Sequence, residues 1–169
     1  MPFKMQEQDA DQWCWAAVSV SLEHYFFPIS TTSQCQMAQD VLGAADCCSD
    51  REVCNQPRKL QEALDVIRRK TAKLPRRLTF QTLPQPLGFP DIRREIDAGF
   101  PVCARIGWAG GGGHFVVVSG YRQSPSGDSK VDVADSLFGE STTDFDEFLS
   151  AYRDSGQWTA TFLVRVQKG

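Results

Sequence analysis

Residues 12–17, Gln-Trp-Cys-Trp-Ala-Ala, place one cysteine where an apolar helix begins, with a glutamine, Gln8, six residues upstream. The first N–H groups of a helix have no intrahelical partner, and the positive end of its dipole lies among them. A negative charge is stabilised there, so a thiolate at Cys14 is favoured by position alone. A side-chain amide such as Gln8, acting with the Cys14 N–H, can complete an oxyanion hole. Gln6 and Gln12 are less well spaced for that task. The competing reading is a core cysteine between two tryptophans, since unpaired cysteine is among the most buried residue types.

The chain has 169 residues, 41% of them apolar and 23% charged, enough for one domain or two small lobes with a real core. A net charge of −3 gives no global field for nucleic acid, and no apolar run approaches the roughly 20 residues that span a bilayer. The basic stretch Arg68-Arg69-Lys70 to Arg76-Arg77 follows a predicted helix and reads as its dipole-matched, solvated end. The N-terminus lacks the apolar stretch of a signal peptide.

Six cysteines occur, at 14, 35, 47, 48, 54 and 103. Four crowd into residues 35–54 without a Cys-x-x-Cys pair or a nearby histidine, so a zinc site is not indicated and no metal or cofactor is expected. Two disulfides account for Cys35, Cys47, Cys48 and Cys54 better. Neighbouring Cys47 and Cys48 bridge each other only with strain, which leaves 35–47 with 48–54, or 35–48 with 47–54. Either pairing implies an oxidising compartment. Cys103 alternates within a predicted strand and reads as buried and inert.

Apolar periodicity predicts a central helix over 13–27, a second over 33–42 and a third from Pro57 through Ile67. Residues 74–90, with four prolines, read as a strand or extended crossover, and a short helix over 90–98 stops at Gly99. The period then changes. Residues 101–107, 114–121, 130–135 and 158–166 read as strands, interrupted by a helix at 144–152. This is an α+β class: an N-terminal helical lobe, about 1–75, whose central helix carries the candidate nucleophile, and a C-terminal antiparallel sheet lobe, about 76–169. Residues 1–169 form a single domain in this reading.

Only two histidines exist, which permits elimination. His24 lies ten residues along the helix of Cys14, roughly 15 Å away, and reads as structural. His114 follows four glycines and opens the strand Phe-Val-Val-Val. The turn-rich segment 122–129 predicts a hairpin in which Gly120 faces Ser129 and His114 faces Asp135. Such partners have Cβ atoms about 5 Å apart, within reach of a carboxylate–imidazole bond. Asp132 points to the other face unless the strand is bulged. Cys14, His114 and Asp135 thus supply nucleophile, base and orienter for covalent acyl transfer. Trp13, Trp15 and Trp108 are candidates to line a substrate slot, against the plainer reading that they are core.

These residues resemble the papain-like cysteine peptidases, in particular the bacterial group related to double-glycine leader peptidases and papain-like secreted effectors. The likeness rests on Gln8, Cys14-Trp15-Ala16-Ala17, the glycine-preceded His114-Phe115-Val116-Val117-Val118 and Asp135, and on the cysteine-rich segment 33–55. It implies a papain-like fold and a cysteine endopeptidase with Cys14 as nucleophile, His114 as base, Asp135 as orienter and Gln8 as oxyanion donor. It further implies a monomer that acts on protein or peptide substrates, an effector or toxin exported without a signal peptide, and a cognate inhibitor or immunity protein. Neither nucleic acid nor membrane is a partner in this reading. The same machinery serves a deamidase, an amidase or a transpeptidase, and an inactive disulfide-held binding module is the alternative outside enzymology.

Overall fold

The computed structural model describes residues 2–44 and 46–168. Its order is α1 (Cys14–Phe26), α2 (Gln34–Leu42), a 3₁₀ turn (Glu52–Cys54), α3 (Leu60–Thr71), β1 (Arg76–Leu83), α4 (Phe89–Asp97), β2 (Val102–Trp108), β3 (Gly113–Gln123), β4 (Ser129–Asp135), β5 (Gly139–Asp144), α5 (Phe145–Ser150) and β6 (Gly156–Lys168). The chain divides into two compact units, Met1–Thr79 with Val166–Gly169, and Phe80–Arg165. The division passes through β1 and β6.

In the first unit α1 is apolar nearly all round, and α2 and α3 pack against it. Met37 and Ala38 of α2 and Leu60, Ala63, Leu64 and Ile67 of α3 are the buried faces of those helices. Ser33 caps α2 with a complete capping box closed by Gln36, and Gly43 ends it in the left-handed region. The third helix starts at Leu60 rather than at Pro57. Residues 55–59 stay outside the helix, and Asn55 and Gln56 among them bond the start of α1, as described below.

The strands form one sheet in the order β1-β6-β2-β3-β4-β5. In the second unit, α4 and α5 pack on it and close a core of Phe89, Ile92, Ala104, Ile106, Val116, Val118, Val131, Val133, Phe148 and Trp158. Strand β5, Gly-Glu-Ser-Thr-Thr-Asp, escapes sequence patterning because an exposed edge strand needs no apolar face.

The hairpin register differs from the expected one. Its loop is short, closed by Ser124 N–H to Asp128 O, so pairing extends to Gln123 opposite Ser129. A bulge between Val118 and Gly120 then sets Val116, not His114, opposite Asp135. His114 stands two residues along on the same face, a diagonal neighbour still within side-chain reach.

Residues 151–156 form a tight turn between α5 and β6. Tyr152 and Gly156 exchange both backbone hydrogen bonds, and the Ala109 N–H binds the Ser155 carbonyl. Arg153 and Asp154 have φ of 51° and 70°, the left-handed region that side-chain-bearing residues seldom occupy. A Cβ on Gly156 would lie 2.5 Å from Ile106 Cγ2, 2.7 Å from the Tyr152 carbonyl and 2.8 Å from Trp108 Cζ3. Gly156→Ala is therefore expected to destabilise the protein by about 1–3 kcal/mol, the range for an overpacked core. Urea unfolding checks this as a lower midpoint at unchanged slope.

Candidate active site

Cys14 is the first residue of α1. No side chain caps this helix and its first turn holds no acid, so the thiol sits at an uncapped positive end of the helix dipole. Cys14 is partly exposed, and among the described residues only it and the buried Cys103 are outside disulfides. Burial pushes the Cys103 thiol far above its ordinary range, so it is inert.

The start of α1 is gripped from residues 54–56. The Trp13 indole N–H donates to the Cys54 carbonyl at 2.8 Å, Trp15 to the Gln56 carbonyl at 3.1 Å, and the Gln12 N–H to Asn55 Oδ1 at 2.9 Å. The disulfides pair Cys35 with Cys48 and Cys47 with Cys54, the second of the two alternatives open in the sequence. Trp13 and Trp15 are wholly buried with their N–H groups engaged. They offer no surface to a substrate; their place is in the core. Opening both disulfides by paired Cys→Ala substitution is expected to cost about 2–4 kcal/mol per bridge and to lower the melting temperature by roughly 5–15 °C for each, read by calorimetry.

Gln8 lies in the extended segment before α1. Its Nε2 donates to the Ala10 and Asp11 carbonyls at 3.0 and 2.7 Å. The buried Gln34 side chain grips the backbone on both sides of it, donating to the Glu7 carbonyl and accepting from the Asp9 N–H. Gln6 is spent elsewhere: its side chain meets His24 Nδ1 and accepts from Gln34. His24 Nε2 meets the Thr32 carbonyl, which gives that histidine a structural setting.

In the second unit, His114 is 5% exposed and its Nε2 lies 2.7 Å from Asp135 Oδ1. The Leu137 and Phe138 N–H groups donate to the same oxygen at 2.8 and 3.2 Å, and the Tyr152 hydroxyl donates to Oδ2 at 2.8 Å. Burial by itself would push the Asp135 carboxyl up. The hydrogen bond and charge of His114, with the Leu137 N–H and the Tyr152 hydroxyl, outweigh it and hold the group below the usual carboxylate range. Burial first, then the Asp135 charge, pushes Tyr152 well above its ordinary value, so it remains a donor. Asp132 takes no part, binding Arg122 and Thr142 on the other face. Trp108 is partly buried and lies between two rings, stacked on His114 at 6.1 Å and on Tyr152 at 6.4 Å between centroids. Phe138 meets the imidazole edge-on at 6.3 Å.

A model of the Peptidase_C39-like family matches residues 1–160. The chain belongs to that family of papain-like cysteine peptidases. No curated protein matches it. Among solved structures it is similar to SERA5E from Plasmodium falciparum, with a TM-score of 0.53 at 12% identity over 98% of this chain and 90% of that one, a likeness of fold alone. Membership makes the protein a peptidase, hence a hydrolase, and the mixed α/β architecture agrees with a papain-like fold. Among the described residues no group of three or more His, Cys, Asp or Glu side chains is placed to hold a metal ion. No described helix is long and apolar enough to cross a membrane.

Sequence reading missed Tyr152 and Gln34. Tyr152 carried no motif, being one aromatic at the end of a helix pattern, and Gln34 looked like an ordinary polar residue at the start of the second helix.

Because the folded Asp135 carboxyl titrates below its unfolded value near 3.9, its contribution to stability is complete above that pH and is lost as pH falls through the folded value. Unfolding free energies measured from about pH 5 to pH 2 are expected to fall less steeply, by up to one proton's worth of slope, in Asp135→Asn than in the parent.

Proposed function

We propose that the protein is a cysteine endopeptidase in which Cys14, His114 and Asp135 act as nucleophile, acid–base and orienter. The observation that carries this is the buried His114–Asp135 bond through Nε2, which supports a reading in which Nδ1 exchanges the proton with the thiol. Membership of a cysteine peptidase family and the position of Cys14 at an uncapped helix N-terminus support it.

In this reading the Cys14 sulfur attacks the peptide carbonyl carbon and its π electrons pass to oxygen. The Cys14 N–H and the Gln8 amide donate to that oxyanion; one Gln8 N–H leaves a backbone carbonyl to do so. Collapse breaks the C–N bond as imidazolium His114 gives its proton to the leaving amine. Water, deprotonated by His114, then attacks the thioester and releases the carboxylic acid and the thiol. Trp108 is the one of the three tryptophans proposed to meet substrate, since it keeps partial exposure beside His114. The two disulfides support action in an oxidising environment. Export as an effector or toxin, with a matching inhibitor, is the proposed setting and is supported by sequence resemblance alone.

Cys14→Ala and His114→Ala are each expected to lower kcat/KM at least a thousandfold on peptide substrates, and Gln8→Ala roughly a hundredfold. A haloacetamide applied to the native protein should modify Cys14 and spare Cys103 until denaturant is added, as peptide mapping will show. Undiminished peptide cleavage by Cys14→Ala would falsify the assignment. Loss of side-chain ammonia without backbone cleavage would convert it to a deamidase with the same triad.

A further inference from the structure

The turn between α5 and β6 does more than join two elements. Its Tyr152 is 1% exposed, yet its hydroxyl ends on the carboxylate that holds His114. Its ring also stacks on Trp108, whose opposite neighbour is the imidazole itself. Two contacts thus link Tyr152 to His114, one through Asp135 and one through an indole.

The backbone that presents Tyr152 is an unfavourable one. Arg153 and Asp154 both occupy the left-handed region, where no glycine relieves them. Such strain persists only where the surroundings over-determine it. Here the surroundings are specific. The Tyr152–Gly156 exchange and the Asp154 N–H to Ala151 bond close the turn, and position 156 has no room for a Cβ. The Arg153 guanidinium lies 5.0 Å from the centre of the Phe138 ring and 5.7 Å from that of Tyr152. It thereby ties the turn to the 135–139 segment, whose N–H groups also hold Asp135.

We propose that Tyr152 is a positioning residue that fixes the Asp135 carboxylate from the side opposite His114, with the strained 151–156 turn as its mount. The proposal rests on the peptidase reading for its kinetic consequence and on the structure of the second unit alone for its spectroscopic one. With Oδ2 held by Tyr152 and Oδ1 by two N–H groups, the carboxylate has one rotamer, and the imidazole that binds it has one orientation. Removing the hydroxyl leaves Oδ2 without that donor, so more negative charge is available to the imidazolium and the carboxylate gains freedom to turn.

The chain carries two histidines, one in each unit, so ring resonances in an NMR titration are readily assigned and His24 is an internal reference. Tyr152→Phe keeps the ring and its stacking. It is expected to raise the titration midpoint of His114 by several tenths of a pH unit and leave His24 unmoved. Tyrosine replaced at 152 by 3,5-difluorotyrosine, a stronger donor, should move His114 the other way. In turnover, Tyr152→Phe should lower kcat about tenfold with KM within twofold, and should cost nothing further once Asp135 is Asn. An unmoved His114 in both variants, or His24 moving with it, overturns the proposal. Should the parent cleave no peptide, the endopeptidase reading fails while the opposite shifts of His114 still decide this one.

Discussion

One carboxylate organises the functional end of the second unit. Asp135 is buried and receives four donors, from His114, Leu137, Phe138 and Tyr152. A buried charge is costly unless paired and hydrogen-bonded, so each donor is needed to hold the ion in place. The constraint runs outward from there. It orients an imidazole, shapes the residues after β4 by binding their N–H groups, and calls for a tyrosine delivered on a strained turn. The hairpin register is equally tied to it, because the bulge after Val118 sets Asp135 diagonal to His114.

The first unit solves a different problem with neutral groups. Its central helix begins at Cys14 without a cap, and its entry is held by two indoles and a backbone amide bonded to residues 54–56. The carbonyl that receives Trp13 belongs to Cys54, itself a disulfide partner. The segment bearing Gln8 is held by Gln34, which bonds the backbone at Glu7 and Asp9. Side-chain amides and indoles carry here what a carboxylate carries in the other unit.

Much of this could be read from the chain because strong local signals decide it. Helix α1 follows from its apolar run, the end of α4 from a glycine exit, and the inner strands from Val and Ile runs between turn residues. His114 and Asp135 emerged by elimination and parity, and the parity survived a wrong register because the loop error and the bulge each flip the face and together cancel. The register itself was not legible: loop length and a bulge depend on how Ser124 and Asp128 close the turn and how Gly120 accommodates Asp132. Trp13 and Trp15 could be read as a substrate slot or as core, and the plainer reading holds because their N–H groups have backbone acceptors some forty residues away in sequence. Strand β5 and Tyr152 give no periodic or motif signal; tertiary pairing alone defines them.

The bridges also bear on how the chain acquires its covalent form. Partners are separated by 7 and 13 residues, so both loops close within one short stretch and at low entropic cost. Cys14 is 21 residues from Cys35, the nearest of the four, and Cys103 lies further still. In kinetic competition during oxidation, proximity favours pairing inside the segment and leaves the thiol of α1 unconsumed. Spacing along the backbone thus sorts the six sulfurs into two local bridges and two thiols, one of them at the start of α1.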